Sequence, residues 1–424
     1  MQMSAAKTKC LKLIALKKVP IAMIVILGLA LLCRLSWVFF IAPEIPNALG
    51  GMNWARYEYI DKSLYTNPYG KVSPDFNQCY YPYSISILNG KGFSARDGKP
   101  TAYVGPLYSA LLAVLFFVFG ESLEVIRFAQ VWIDLFSCLM VYFVARKLMG
   151  NKVALLSSFL YAIYPLLIYQ SGLLLTETLF TFLILLFLNL LQKTQAKGEN
   201  NIYPLLCGIT LGLATLTRPN TLLLPLIVVP WLIYHFKSDY RESLWKSCYL
   251  ILGMLLSVGP WILRNYILFK KFIPVSGIIY HFYEDPRGTI SEYAIKTGLI
   301  EFVKQKILIL LDDPAGSVSI FITALFTIWC KTNTGNFDLI LKFIQYPLLV
   351  LAIYGAYIAI RKRRETLFLI LFITYYVFTL IIISKSNLAR YVVPIMPLIL
   401  IFVSVAGVHI WYAHKKHERD KLSG

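Results

Sequence analysis

Long runs of apolar residues dominate this chain of 424 residues and limit the structures that it can form. Hydrophobic residues make up 58% of the sequence and charged residues only 15%, a composition far from that of soluble domains. A spanning helix needs roughly 20 apolar residues. Because lipid offers the backbone no hydrogen-bond partners, each run is predicted to be helical. The sequence therefore predicts an all-α polytopic membrane protein.

Eleven runs are predicted to span the membrane, and a twelfth, shorter run covers residues 317–330. The eleven lie at residues 20–42, 104–119, 125–148, 152–170, 173–192, 202–217, 220–236, 247–263, 341–360, 366–384 and 392–413. Two polar insertions interrupt them, at residues 43–103 and 264–316. Residues 1–424 are predicted to form a single transmembrane domain.

The net charge of +19 is concentrated beside the apolar runs. The clusters are "KTKCLKLIALKK" before the first run, "RKRRE" at residues 361–365 and "HKKHERDK" near the end of the sequence. Such clusters favour contact with anionic lipid headgroups and a cytoplasmic location over nucleic-acid binding. They predict that both termini are cytoplasmic and that the first insertion lies outside. No A-x-A-like cleavage site follows the first run, which is therefore predicted to be a retained signal anchor. That topology requires one run between the first insertion and Glu177 not to cross, and the shortest is residues 104–119.

Several common chemistries have no support in the sequence. The seven cysteines lack metal-ligand spacing, and the five histidines lack metal-ligand pairing apart from the "HKKH" of the basic tail. The sequence contains no P-loop, no H-E-x-x-H and no G-x-S-x-G. ATP-driven transport and the common hydrolase mechanisms are therefore not indicated.

The first insertion contains an acid among aromatic residues. Asp75 stands near Tyr80 and Tyr81, in "SPDFNQCYYPYSISILNGKGF". A carboxylate at the membrane surface can act as a general base when partial burial adjusts its pKa. The alternative is an ordinary loop aspartate beside a belt of interfacial aromatic residues.

Other ionisable residues stand at the predicted outer ends of helices. Glu177 begins an apolar helix, where a carboxylate also favours the helix N-terminus. Arg218, Arg264 and Arg390 each stand at a helix end, and a guanidinium fork suits a phosphate. The alternative for each arginine is an interfacial side chain that reaches the headgroups. Asp134, in "QVWIDLFSC", is either a functional buried acid or a partner in an interhelical hydrogen bond, for instance with Gln130.

Four stretches taken together resemble the integral-membrane GT-C glycosyltransferases. They are the first outer loop with "NGKGF" leading to "GPLYSALLAVLFFVFG", then "YAIYPLLIYQSGLLLTETLF", then "GLATLTRPN" with "GPWILRNYILFKKFIPVS", and finally "ARYVVPIMPLILIF". The resemblance is to the protein-mannosyltransferase-like and aminoarabinose-transferase-like group, the family 39 type, which uses polyprenyl-phosphate sugars. It implies a GT-C fold with about 11–13 transmembrane helices and a long first outer loop containing juxtamembrane helices.

The resemblance also implies roles for individual residues. Asp75 matches the base that deprotonates the acceptor, and Glu177 matches a second acid near the site. Where the family more often has an acid and a tyrosine after the aspartate, this chain has Cys79 and Tyr80. Substrate binding is implied for Tyr80, Tyr81, Arg218, Arg264, Arg390 and Tyr391.

The implied reaction is a single displacement at the anomeric carbon, with inversion, at the outer membrane face. The donor is a polyprenyl-phosphate sugar and the acceptor a lipid, a glycan or a protein. No cofactor is required, although a divalent metal shared by Asp75 and Glu177 is compatible with the pattern. The competing hypotheses are a flippase or transporter for lipid-linked sugars and a glycan polymerase or ligase. Paired internal repeats, typical of transporters, are not visible, and the larger insertion comes first rather than late.

Overall fold

The computed structural model describes residues 20–41, 76–95, 98–196, 200–270, 272–276, 308, 311–332, 338–383 and 389–423. Within these residues the chain forms fourteen α-helices and no β-strand. The helices are α1 (Ile21–Ser36), α2 (Tyr81–Leu88), α3 (Pro106–Phe119), α4 (Leu123–Met149), α5 (Asn151–Ile163), α6 (Pro165–Gly172), α7 (Glu177–Thr194), α8 (Ile202–Thr217), α9 (Pro225–His235), α10 (Tyr240–Phe269), α11 (Pro314–Thr327), α12 (Asp338–Lys362), α13 (Leu367–Ile383) and α14 (Met396–Ser423). Two π-helical turns, Trp37–Ile41 and Phe76–Tyr80, and three 3₁₀ turns, Pro219–Thr221, Arg364–Thr366 and Ala389–Ile395, adjoin them.

The predicted multi-pass architecture is confirmed. Every predicted run coincides with a helix or with a pair of adjoining helices. Among the described residues, seven helical segments are long and apolar enough to cross a bilayer, and α5 with α6 makes an eighth if this pair, bent by 53°, is one span. The bend falls at Pro165, which lacks the N–H that would continue the helix.

Small residues allow the central helices to pack closely. A Cβ atom on Gly208 of α8 would lie 1.9 Å from the carbonyl oxygen of Leu250 in α10, and one on Gly253 would lie 2.2 Å from that of Leu205. Gly355 of α12 meets Phe402 of α14 in the same way. Such contacts are typical of membrane helices, whose association depends on close packing.

Asp134 pairs with a cation that the sequence analysis did not single out. Its carboxylate accepts a hydrogen bond from Arg34 of α1 and another, of 2.5 Å, from the Tyr161 hydroxyl. Arg34 is fully buried and also donates to the carbonyl oxygens of Tyr161, at 3.2 Å, and Ala162, at 2.5 Å. These carbonyls lie at the end of α5, where the bend removes their helical partners. Asp134 therefore joins α1, α4 and α5, rather than bonding to Gln130.

The two ends of the bundle differ in their polar contacts. At one end, which we call the lysine end, Lys147 donates to the carbonyl oxygen of Gln192. Lys246 donates to those of Thr194, at 2.6 Å, and Ala196, at 3.0 Å. These lysines satisfy the last carbonyls of α7 and complement its dipole. We call the opposite end of the bundle, where α7 begins at Glu177, the site end.

The described part of the first insertion and α3 pack along each other. Helix α3 has 14 residues, which at 1.5 Å per residue is about 21 Å, less than the roughly 30 Å of a bilayer core. Tyr80 contacts Tyr108 near its start and Tyr81 contacts Phe116 near its end. This arrangement favours the prediction that α3 does not cross, which stays a prediction.

The insertions differ in part from their predicted bounds. The first contains α2, in line with the predicted juxtamembrane helix. The second was predicted to begin at residue 264, whereas α10 continues to Phe269. The difference arises because Arg264 and Asn265 bond to carbonyls of adjacent loops and so remain in the helix.

Candidate active site

Glu177 and Arg218 form an ion pair at the site end. Arg218 Nη2 donates to Glu177 Oε1 across 3.2 Å, and the Glu177 side chain is 2% exposed. Pro219 disfavours helical backbone at the residue before it, so α8 ends at Thr217 and Arg218 is extended, with φ −145° and ψ 130°. That backbone turn directs the guanidinium to the start of α7.

Arg218 and Arg390 share one aromatic ring. The guanidinium carbon of Arg218 lies 5.4 Å from the centroid of the Tyr391 ring, and that of Arg390 lies 4.8 Å from it. Arg390 Nη2 also donates to the Tyr391 hydroxyl at 3.0 Å. Together with Glu177, the two arginines make a group with two positive charges and one negative charge. Such a surplus of cationic donors in a largely buried place suits an anion.

The electrostatic surroundings of Arg218 keep it charged. Burial lowers the pKa of its guanidinium, but Glu177 and, to smaller extents, Tyr376, Tyr80 and Tyr391 raise it, and the net pKa lies above the usual value. Arg218 Nη1 is buried and has no hydrogen-bond partner among the described residues.

Tyr80 contacts Tyr108 at the start of α3. Its ring meets Tyr108 edge-on, with centroids 5.1 Å apart. The Tyr108 hydroxyl donates to Gln130 Oε1 at 2.8 Å, and Gln130 Nε2 donates to the Leu173 carbonyl at 2.6 Å. Neither Tyr108 nor Gln130 was predicted as part of a site. Their sequence signal was a polar atom in an apolar run, since such a group needs a partner at membrane depth.

The structure places Tyr81 differently from Tyr80. Its hydroxyl donates to Glu121 Oε1 at 2.5 Å, between α3 and α4. Its ring packs near Phe76 and Phe116, with centroids 5.9 and 6.2 Å away. Tyr81 therefore fixes the described part of the first insertion on α3, and its predicted role in substrate binding stays a prediction.

Arg264 also contacts the first insertion. Its Nη1 donates to the Thr101 carbonyl and its Nη2 to the Phe93 carbonyl, both at 2.7 Å. Its guanidinium lies 4.7 Å from the Trp261 ring centroid. These contacts join Arg264 to the backbone at Phe93 and Thr101, instead of joining it to Glu177 or Arg218.

Two features of the predicted site bear on the acids. Asp75, the predicted base, lies outside the described residues, which resume at Phe76. Cys79 packs in an apolar cluster with Tyr83, Phe93 and Val104, so the position where the family more often has an acid lies in an apolar cluster here.

Among the described residues, no three His, Cys, Asp or Glu side chains group as metal ligands would. Independence from a metal stays a prediction.

The sequence is similar to that of known glycosyltransferases over part of its length. Residues 100–263 match the family model described as dolichyl-phosphate-mannose-protein mannosyltransferase. The chain is 32% identical over 152 residues to the undecaprenyl phosphate-alpha-4-amino-4-deoxy-L-arabinose arabinosyl transferase of Pseudomonas aeruginosa, a match that covers 34% of this chain and 27% of that enzyme. The same enzyme of Pseudomonas paraeruginosa is also 32% identical over 152 residues. The match thus spans about a quarter of the length of these curated relatives.

The fold extends the similarity over most of the chain. The crystal structure of ArnT from Cupriavidus metallidurans bound to undecaprenyl phosphate superposes with a TM-score of 0.51 at 15% identity, covering 90% of this chain and 59% of that one. The predicted resemblance to the GT-C glycosyltransferases is confirmed, and the chain has the GT-C fold. Glu177 and Arg218 both lie within the segment that matches the family model.

Proposed function

We propose that this GT-C membrane protein is a glycosyltransferase that moves a sugar from a polyprenyl-phosphate donor to an acceptor at the outer membrane face. The observation that carries the proposal is the placement of Arg218 and Arg390 on one ring, Tyr391, beside the buried Glu177. The names of the matched relatives, which are polyprenyl-phosphate sugar transferases, support the same class of donor.

The geometry suits a lipid-linked phosphate in particular. A polyprenyl chain stays in the bilayer while its phosphate lies near the interface, where guanidinium forks can bind it through paired hydrogen bonds. Arg218 and Arg390 come from chain turns that end or begin long apolar helices. We propose that they lie at the border between the apolar helices and the outer loop.

The proposed reaction is one displacement. The acceptor oxygen forms a bond to the anomeric carbon as the bond from that carbon to the phosphate oxygen breaks. The electron pair of the broken bond leaves with the phosphate, and the acceptor proton passes to the base, for which Asp75 is the candidate. Arg218 and Arg390 stabilise the charge that develops on the departing phosphate. Attack opposite the leaving group inverts the anomeric configuration.

Glu177 has a different proposed role from that of the base. Its carboxylate is paired with Arg218 and is almost fully buried. In this arrangement it orients the guanidinium and offsets one of the two positive charges before the phosphate binds. We therefore propose that the second acid implied by the family pattern, Glu177, acts on Arg218 and not on the acceptor.

The proposed orientation follows from the two ends of the bundle. Lys147 and Lys246 lie at the lysine end, and the "RKRRE" cluster begins in the last turn of α12. Under the positive-inside rule this end and both termini are cytoplasmic, and the site end is outside. The acceptor is proposed to be a lipid, a glycan or a protein that reaches the outer loop, and transfer is proposed to need no metal.

Reconstituted protein tests the proposal. Proteoliposomes given a panel of radiolabelled polyprenyl-phosphate sugars and membrane acceptors should transfer label with one or more donors, and equally well in EDTA. Asp75→Asn should abolish transfer at unchanged expression, while Asp312→Asn, on an exposed residue, should not. Normal transfer by Asp75→Asn contradicts the base assignment. Donor that crosses the membrane without forming product contradicts the glycosyltransferase and indicates a flippase.

A further inference from the structure

Two adjacent tyrosines of α13 bind the two turns that carry the arginines. The Tyr375 hydroxyl donates to the Asn220 carbonyl at 2.7 Å, and the Tyr376 hydroxyl donates to the Tyr391 carbonyl at 3.2 Å. Neighbouring residues of a helix diverge by about 100°. One helix can therefore hold two separate chain segments with consecutive side chains.

Each acceptor carbonyl lies beside one of the arginines in the sequence. Asn220 is in the turn Pro219–Thr221, directly after Arg218, and Tyr391 follows Arg390 in the turn Ala389–Ile395. Both turns are 3₁₀ helices, whose internal hydrogen-bond geometry is poorer than that of an α-helix. A bond from outside therefore contributes more to fixing where each turn lies.

Packing fixes Tyr376 from a further side. Its side chain is fully buried, and its ring stacks on Phe180 of α7, with centroids 6.0 Å apart and planes 28° apart. The guanidinium of Arg218 lies over the same Phe180 ring, at 6.0 Å from its centroid. Tyr376 is thus connected to Arg218 through a shared ring and to Arg390 through the adjacent carbonyl.

We infer that Tyr375 and Tyr376 are positioning residues that set the spacing of the Arg218 and Arg390 guanidiniums for one lipid-linked phosphate. The inference rests on the proposed function, because it assigns the spacing to that ligand. Neither hydroxyl is assigned contact with the donor. Both act by holding the backbone from which an arginine side chain extends.

Conservative variants test this role. Tyr375→Phe and Tyr376→Phe remove one hydroxyl each and keep the ring, so the packing on Phe180 remains. Tyr142→Phe is a matched control, since it removes a hydroxyl that donates to Asn151 at 2.7 Å in another part of the bundle. The measurements are the dissociation constant for radiolabelled polyprenyl phosphate, the donor KM and kcat, and the melting temperature of the purified protein.

The expected result is a loss confined to phosphate recognition. Each α13 variant should weaken polyprenyl-phosphate binding and raise the donor KM about tenfold, because small misplacements of binding groups carry large costs. Its melting temperature should fall no further than that of Tyr142→Phe, whose affinity should be unchanged. Unchanged affinity in both α13 variants overturns the inference, as does an affinity loss that the control shares. Absence of phosphate binding and transfer in the wild type overturns the proposed function instead.

Discussion

Glu177 Oε1 and Arg218 Nη2 lie 3.2 Å apart, joining the first residue of α7 to the residue that directly follows α8. The chain thereby pairs two charges from separate stretches of the predicted outer face. Because the Glu177 side chain is buried, the pair is a structural contact between the start of α7 and the end of α8, and we propose that it is also part of the phosphate site.

Removing the carboxylate charge should weaken this contact. Glu177→Gln keeps the shape of the side chain but leaves the Arg218 guanidinium without its charge partner. We expect a loss of about 2 kcal/mol in the free energy of unfolding, below the range for fully buried pairs because Arg218 is partly exposed. Denaturation of the purified protein measures this loss. Glu418→Gln, which removes an exposed partner of His414, should change stability little, and equal losses would contradict a special role for Glu177.

The Tyr391 ring should matter more than its hydroxyl. Tyr391→Phe keeps the face that both guanidiniums contact, whereas Tyr391→Leu removes it. Since a cation–π contact is worth about 0.5–2 kcal/mol, we expect Tyr391→Phe to retain activity within about threefold and Tyr391→Leu to lose about tenfold or more. The measurement is donor kcat/KM. Tyr357→Leu, which removes the ring beneath Arg361 at 4.4 Å, is the control, and an equal loss in the Phe and Leu variants would contradict the prediction.

Arg264 should control the attachment of the first insertion to α10. Arg264→Gln removes the bonds to the carbonyls of Phe93 and Thr101, each a charge-assisted bond worth about 1.5–3 kcal/mol. We expect faster tryptic cleavage after Lys91 and Lys99, with Arg361→Gln as a control. Slow cleavage combined with weak phosphate binding would instead support the direct role in substrate binding implied by the sequence.

The buried pair of Arg34 and Asp134 should be needed as a pair. Asp134→Asn leaves the fully buried Arg34 charge without its partner and should cost about 3–5 kcal/mol of stability. The double variant Arg34→Met with Asp134→Leu removes both charges and should be more stable than the single variant, as thermal unfolding in detergent can show. A double variant less stable than Asp134→Asn would contradict this account.

The helices could be predicted from the sequence because each apolar run has a composition that lipid requires. The sequence also indicated Glu177, Arg218 and Arg390 as residues at helix ends. It did not indicate Arg34, which lies inside an apolar run and is paired with an acid 100 residues away. Its burial becomes understandable only when the bend after α5 exposes two carbonyls.

The contacts within the site were also less predictable, because they join residues that are far apart in the sequence. Which helix end meets which depends on close packing between distant residues, such as Gly105 against the carbonyl of Leu216. Arg218 and Arg264 have similar settings in the sequence, yet one meets Glu177 and the other meets loop carbonyls. Tyr375 and Tyr376 gave no signal at all, since an apolar helix rich in aromatic residues is common in membranes.

Direct binding of polyprenyl phosphate tests the central claim, that Arg218 and Arg390 form one phosphate site. Equilibrium binding of the radiolabelled lipid would be measured with wild-type protein, Arg218→Gln, Arg390→Gln, the double variant and Arg361→Gln as control. The account predicts saturable binding by the wild type and the control. Each single variant should bind about tenfold or more weakly, and the double variant should lose less than the sum of the two single losses, since the arginines share a ligand. Equal binding by all five proteins would contradict the claim.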